Sequence, residues 1–460
     1  MPMSNENLSD KLASYTSQDY LPMHMPGHKR NPAVVDSAFL SDITEIDGFD
    51  NFHHPDGIIE ELQERAAKVW DADYSVISVN GSSGLLLSAI LAASGKYHKA
   101  IVAANCHISV WHGLELAGIT PVVIYPEVDP SGLYYGRLAP ETLEKALKAD
   151  SDVDFVIYTS PTYEGLESDT AAIHKIASHY GIPVILDEAH GAHYGLSEYF
   201  PANGSADVII KSIHKTLNSP TQTAVLLGYG NAINRKMVNH YVDVTITTSP
   251  SYLLMAGIDR AIKDAENKDL YDSWGRITNS CKTRLKRLSH LSLARVDDLS
   301  KIVILTNGYV SGDKLSGILR DEYRIEIEAS YPDYIICMTG VGDTEESLKR
   351  FTDAIFDIDS KLVETGKSSP LVLPDITLTM AMSSSHAIKA NSSLTDIDEA
   401  EGKISSEYLF AYPPGIPVLI PGQIISKEVT DYLTKAVLND VSMLPEPRRK
   451  WDLKVLTVDT

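Results

Sequence analysis

The sequence is poor in cysteine: its 460 residues hold only Cys106, Cys281 and Cys337, and no two share a Cys-x-x-Cys spacing. An odd, sparse set gives no disulfide framework and is what a reducing cytoplasm predicts. Long hydrophobic runs are also missing. No stretch approaches the roughly 18 apolar residues of a membrane span. The N-terminus, MPMSNENLSD, lacks the basic region and apolar run of a secretory signal. Cations are in deficit, with 40 Lys and Arg against 62 Asp and Glu and a formal net charge of −22. A surface that acidic repels phosphate backbones and anionic lipid, so nucleic acid and membrane partners are disfavoured, while a local basic pocket is not. There is no internal repeat and no low-complexity tract. With 43% hydrophobic and 22% charged residues, the composition is that of a globular protein, and the length calls for two or three domains.

What is present has a clear order. Residues 1–56 read as an irregular arm, because LPMHMPGHKRNP carries three prolines and cannot be one long helix. The aromatic content of DGFDNFHHPDG predicts that the arm docks on something else. From Gly57 to Ala265, short β-branched runs (YSVISVN, KAIVAAN, TPVVIYP, VDFVIYTSP, PVILDEAH, ADVIIKSIH) are separated by helical stretches such as GIIEELQERAAKVW and DTAAIHKIASHYG. That alternation predicts a large α/β domain on a mainly parallel sheet covered on both faces. YDSWGRITNSCKTRLKRL reads as a connecting helix. Residues 266–370 then form a smaller α+β domain, with strands at KIVILT, YRIEIEAS and YIICMTG. A third segment, 371–460, centres on YPPGIPVLIPGQII, whose prolines exclude a helix and a central strand.

Three pieces carry chemistry. In SVNGSSGLLLSAILA a strand, a loop of small residues and a helix follow one another. Free N–H groups at the helix start, with Ser82, Ser83 and Gly84, make an anion cradle suited to a phosphate, although the run is neither a GK[ST] loop nor GxGxxG. In VILDEAHGAHYG, Asp187 and Glu188 end a strand, at the sheet edge that faces ligand crevices. His190 and His193 there raise a metal reading with Asp187, but Gly191 and Gly195 argue against a rigid helical pair, and no HExxH is present. In ADVIIKSIHKTLN, Ser212, His214 and Lys215 follow a strand. A lysine amine in such a place can form a Schiff base with an aldehyde. An imine lysine, a phosphate cradle and an acid for a pyridine nitrogen are the three needs of pyridoxal phosphate. Lys215, the 82–84 loop and Asp187 supply them. His107 stands at another strand end, where an imidazole can stack on the ring.

With these residues in place, the chain resembles the ornithine/lysine/arginine decarboxylase family of fold-type-I pyridoxal phosphate enzymes, and in particular its short bacterial form. The motifs are HMPGHK (24–29), GSSG (81–84), CHIS (106–109), PTYEG (161–165), DEAHGAH (187–193), SIHK (212–215), TTSPSYLL (247–254), YPPGIP (412–417) and IPG (420–422). The resemblance implies an aspartate aminotransferase-like large domain and α-decarboxylation of a basic amino acid. Arginine is favoured over lysine or ornithine. It implies that Lys215 carries the cofactor, Asp187 pairs with its ring nitrogen, and His107 and Ala189 lie on the two ring faces. It puts His190 near the ring oxygen or the substrate carboxylate. Ser82, Ser83 and Ser212 bind phosphate, with His214 nearby, and Thr247, Thr248 and Ser249 reach the phosphate of a neighbouring subunit. A homodimer with shared sites, the arm at His24–His28 covering the partner, follows from the same resemblance. His107 or Lys215 is expected to assist protonation of the product.

The chain also departs from the pattern. Gln423 stands where PGE is common, Tyr331 replaces the Asp of a Ser-Asp pair, Ser384 and Ser385 replace a Pro-Arg pair, and Lys403 follows Gly402 in place of arginine. The cofactor half is intact while the substrate half is altered, which keeps open another lyase or transaminase substrate, or a non-catalytic role. A metallohydrolase built on Asp187, His190 and His193 is the remaining alternative.

Overall fold

The computed structural model describes residues 7–18, 20–363, 378–411, 416–438, 443–444 and 453–459. The start of the third segment near Leu371 and the Tyr412–Gly415 part of YPPGIP lie outside the described residues. The chain divides into two compact units. The first comprises Met1–Ala93, Ile185–Trp274 and Gly340–Gly342; the second comprises Ser94–Val184, Gly275–Thr339 and Asp343–Thr460.

In the first unit the strands Tyr74–Ser78, Ala224–Gly228, Val208–Lys211 and Val184–Asp187 are neighbours in that order. Their buried β-branched residues account for the run of hydrophobicity in the sequence. Val184–Asp187 and Val208–Lys211 run parallel, with Asp187 opposite Ile210. Ala224–Gly228, which the sequence reading passed over, runs antiparallel to both its neighbours. The arm is not irregular throughout: Leu8–Thr16 is a helix, capped by the Asn7 side chain. Leu8 and Leu12, one turn apart, are buried, and the Ser9 N–H donates to Asp259 of the helix Tyr252–Ala265 at 2.9 Å. A single apolar stripe with a good N-cap suffices for a short helix once it docks. GSSG also differs from expectation. It is not a loop but the first turn of the helix Gly81–Ala93. The turn enters through Gly81 at φ +69°, where glycine is favoured, and the Gly81 N–H is held by the Gln222 carbonyl.

In the second unit Lys99–Ala103 pairs in parallel with both Thr120–Ile124 and Phe155–Thr159. A separate antiparallel sheet orders Ala329–Tyr331, Tyr334–Met338, Lys301–Leu305 and Ser292–Leu293. The helices Gly312–Tyr323 and Glu345–Lys361 pack Leu315, Leu319, Phe351 and Ile355 into a core with Ile302, Ile304 and Ile335. Of the expected strand YRIEIEAS, only Ala329–Tyr331 joins the ladder. Near the C-terminus, Ile416–Leu419 holds Pro417 at the edge of a small three-stranded sheet, with a register shift beside it. An edge is the place where a missing N–H leaves no ladder bond unmade.

Candidate active site

Two parallel strands of the first unit end side by side, and the chemistry-bearing residues follow their C-terminal ends. After Val208–Lys211 the chain turns through Ser212 into a short 3₁₀ turn, Ile213–Lys215. Lys215 Nζ lies 2.8 Å from His190 Nε2. Asp187, the last residue of the neighbouring strand, is 2% exposed. One carboxylate oxygen accepts the Ala189 N–H at 3.1 Å, and no other donor among the described residues reaches the group. Burial pushes the Asp187 carboxyl above the usual range, against the pull of the Lys215 cation and the Ala189 N–H. A buried carboxylate with one hydrogen bond is short of positive charge, which is the environment a protonated ring nitrogen would complete.

The other two ionisable groups of DEAHGAH face elsewhere. Glu188 forms an ion pair with Lys211, and both are essentially sealed from solvent. Lys211 Nζ also donates to the Gly191 carbonyl at 2.8 Å, and Glu188 accepts the Gly204 N–H at 3.0 Å. Burial raises the Glu188 pKa and Lys211 opposes it. Both glycines are required by this pair. A Cβ at Gly191 would stand 2.7 Å from Glu188 Cγ, and one at Gly204 would stand 2.7 Å from Glu188 Oε1. His193 is fully buried, 3.2 Å from Thr216 Oγ1 and packed against the Phe200 and Trp274 rings. The two histidines of the metal reading therefore serve different neighbourhoods, one Lys215 and the other an aromatic pocket.

The anion cradle is built by the start of the helix Gly81–Ala93. Ser212 Oγ donates to Ser82 Oγ at 2.8 Å, so the residue before the lysine turn meets the cradle directly. The N–H groups of Ser82 and Ser83 have no acceptor among the described residues, and Ser83 is exposed. Gly84 is buried, and a Cβ there would press on Asn80 Cβ at 3.1 Å. His214 is tied to a neighbouring carbonyl. Its Nδ1 sits 2.9 Å from the Thr223 carbonyl, and burial lowers its pKa. Two hydroxyls that the sequence reading missed brace the cradle: Ser88 and Thr245 lie 2.7 Å apart, and both donate to the Gly84 carbonyl. Thr245 ends the helix Arg235–Thr245, just before Thr247, Thr248 and Ser249, all exposed. The fit to a phosphorylated pyridine aldehyde is good: the amine, the under-bonded acid and the free N–H groups all belong to one unit.

The remaining expected site residues belong to the second unit. His107 caps the helix Ile108–Ala117, its Nδ1 taking the Ser109 N–H at 3.2 Å and standing 2.8 Å from Ser109 Oγ. Gln423 is 1% exposed, and its Oε1 accepts the Ile420 N–H at 3.1 Å, closing the IPG turn. Ser384 is buried and donates to the Pro421 carbonyl; Ser385 lies 3.3 Å from Ser383, and Lys403 is exposed. Tyr331 stacks on Tyr334 with ring centroids 4.4 Å apart. The same unit holds a buried acid that the sequence reading did not single out. Glu164, in PTYEG, accepts from the Tyr334 hydroxyl at 3.2 Å, and burial pushes its pKa up to about 7.

Comparison with known proteins places this geometry. The fold is that of solved amino-acid decarboxylases. The lysine decarboxylase LdcF of Francisella novicida superposes with a TM-score of 0.83 at 18% identity, covering 98% of this chain and 81% of the other. The constitutive lysine decarboxylase of E. coli gives 0.82 at 17%, covering 98% and 82%. Family profiles for the Orn/Lys/Arg decarboxylase major domain and C-terminal domain match residues 7–302 and 364–443. The arginine decarboxylase of Bacillus subtilis (strain 168) is 30% identical over 452 residues, 92% of each chain, and that of Halalkalibacterium halodurans is 32% identical over 451 residues, 92% and 91%. The chain belongs to the Orn/Lys/Arg decarboxylase family and is a decarboxylase by class. Among the described residues no helix is long and apolar enough to cross a membrane.

Proposed function

We propose that the protein is a pyridoxal phosphate-dependent α-decarboxylase of a basic amino acid, arginine first, releasing the amine and carbon dioxide. The observation that carries this reading is Asp187: a buried carboxylate with a single N–H donor, in the same unit as Lys215 and the cradle. When bound, the cofactor supplies an electron sink for the carbanion left by loss of the carboxyl group. The chain's own residues do the rest. Lys215 provides the amine that anchors the aldehyde, and His190 holds that amine by a hydrogen bond. Asp187 keeps a proton on the ring nitrogen. Ser82, Ser83 and Ser212 bind the phosphate, His107 and Ala189 pack on the ring faces, and Lys215 or His107 returns a proton to the α-carbon. Thr247 and Thr248 reach across a homodimer, where exposed Leu21, Met23 and Met25 of the arm cover a second copy. The sparse cysteines fit the cytoplasm. Arginine is favoured by the relatives at about 30% identity over nearly the whole chain.

Incubation of the protein and pyridoxal phosphate with arginine, lysine and ornithine, followed by mass analysis, tests the reading: agmatine and carbon dioxide are expected from arginine. A keto acid would mean transamination. Gln423, in place of a carboxylate, favours a second reading in which the distal group of the substrate carries less positive charge. Turnover of a neutral amino acid in preference to all three cations would select it.

A further inference from the structure

We propose that His53 is a positioning residue that fastens the segment Thr247–Ser249; its consequence for the cofactor rests on the function proposed above. His53 lies in DNFHHPDG, which the assigned roles leave unused. Its backbone is set by two side chains. Asp50 accepts the N–H groups of Asp56, Gly57 and Ile59, and Asn51 accepts those of His53 and His54. The buried Phe52 meets its ring edge-on at 5.0 Å. The imidazole is thereby aimed at the end of the helix Arg235–Thr245.

There each ring nitrogen meets an acceptor. Nδ1 is 2.8 Å from Asp243 Oδ1, and Nε2 is 3.0 Å from the Thr247 carbonyl. A carboxylate and a carbonyl only accept, so both bonds form when both ring nitrogens carry a proton. The residues gripped lie on either side of Thr245, whose hydroxyl holds the Gly84 carbonyl of the cradle at 3.2 Å. His53 thus pins the free end of a strap whose other end braces the first turn of the cradle helix. All of these contacts lie in one unit. The strap carries Thr247 and Thr248 exposed at its outer end, and loosening it would blur their placement without opening the core.

The test has two readouts on His53→Phe, which keeps a ring and loses both donors, and on His53→Gln, whose amide can still donate to the Thr247 carbonyl. Hydrogen exchange reports the clamp: the amides of Thr247, Thr248, Ser249 and Ser251 are expected to exchange severalfold faster in His53→Phe than in wild type. Spectral titration with pyridoxal phosphate reports the consequence. The dissociation constant is expected to rise about tenfold, equivalent to about 1.4 kcal/mol, in His53→Phe and to recover in His53→Gln. Unchanged exchange overturns the clamp. Faster exchange with unchanged cofactor affinity, or a His53→Gln variant as impaired as His53→Phe, overturns the positioning role. If wild-type protein takes up no cofactor, the proposed function fails, and the exchange experiment still decides the clamp. Should His53→Phe not fold, His53→Leu, which also removes both ring donors, carries the same expectations.

Discussion

Lys215 Nζ stands 2.8 Å from His190 Nε2, so one of the two nitrogens donates and the other accepts. An amine held this way is pointed by its neighbour rather than left to swing on four methylenes. Lys215→Ala is expected to abolish the covalent adduct formed with pyridoxal phosphate and borohydride, and to lower turnover by more than about a thousandfold. His190→Ala should keep the adduct while slowing turnover. Mass spectrometry of the reduced protein separates the two, and an adduct on Lys215→Ala would move the anchoring role to another lysine.

Asp187→Asn is expected to stabilise the cofactor-free protein while impairing the enzyme. Burial raises the pKa of Asp187, so its favourable contribution to folding is complete below the ordinary carboxylate range and fades as pH rises through its folded value. Near neutrality the amide removes that penalty and should raise Tm by a few degrees. Under the proposed function it also removes the charge that would hold a proton on the ring nitrogen, for an expected loss of at least about a hundredfold in kcat. Equal activity in the variant would rule out the ring pairing.

The Glu188–Lys211 pair is expected to behave as a unit. Lys211→Met leaves a buried carboxylate unmatched and should cost about 3–5 kcal/mol in denaturant unfolding. The double change Lys211→Met with Glu188→Gln should recover most of that loss. Additive effects in the double-mutant cycle would show that the two side chains do not interact.

Glu164 predicts a pH dependence in the second unit. Its pKa is pushed up to about 7 by burial, against the Tyr334 and Thr162 hydrogen bonds and the more distant Lys301. A raised carboxyl pKa favours the folded state most at acid pH, and the advantage declines as pH rises from the ordinary range through about 7. Glu164→Gln should flatten that decline and stabilise the protein above neutrality, by about 3 kcal/mol at most. Parallel pH–stability curves for the two proteins would contradict the assignment.

Gln423→Glu is nearly isosteric and can still accept the Ile420 N–H. It is expected to raise kcat/KM for arginine about tenfold by supplying a charge for the guanidinium, at a stability loss of about 1–3 kcal/mol for a buried carboxylate. Unchanged specificity would put the distal pocket elsewhere.

The sequence made the reacting groups legible because they sit where strands end. β-branched runs marked the strands, and Asp187 and Lys215 followed them directly. The cradle serines were legible as residues but not as structure. A run of glycine and serine reads as a loop, yet the turn closes into a helix once Gln222 and Ser78 take up its backbone groups. Thr245 was invisible, since nothing local links it to Gly84, 161 residues away. Lys211 read as the end of a strand, and only the fold brings it to Glu188. YRIEIEAS misled by its alternation. Arg324 ends the preceding helix in a left-handed conformation, and half-buried Ile325 and Ile327 pack without a strand partner.

Gly191 and Gly204 bear on how this enzyme can be altered. Neither has a side chain to offer a ligand, yet a Cβ at either would crowd the Glu188 side chain, and at Gly204 the Leu186 side chain as well. A library meant to retune substrate choice is therefore better aimed at Ser385, or at Gln423 with residues that still accept the Ile420 N–H, than at either glycine.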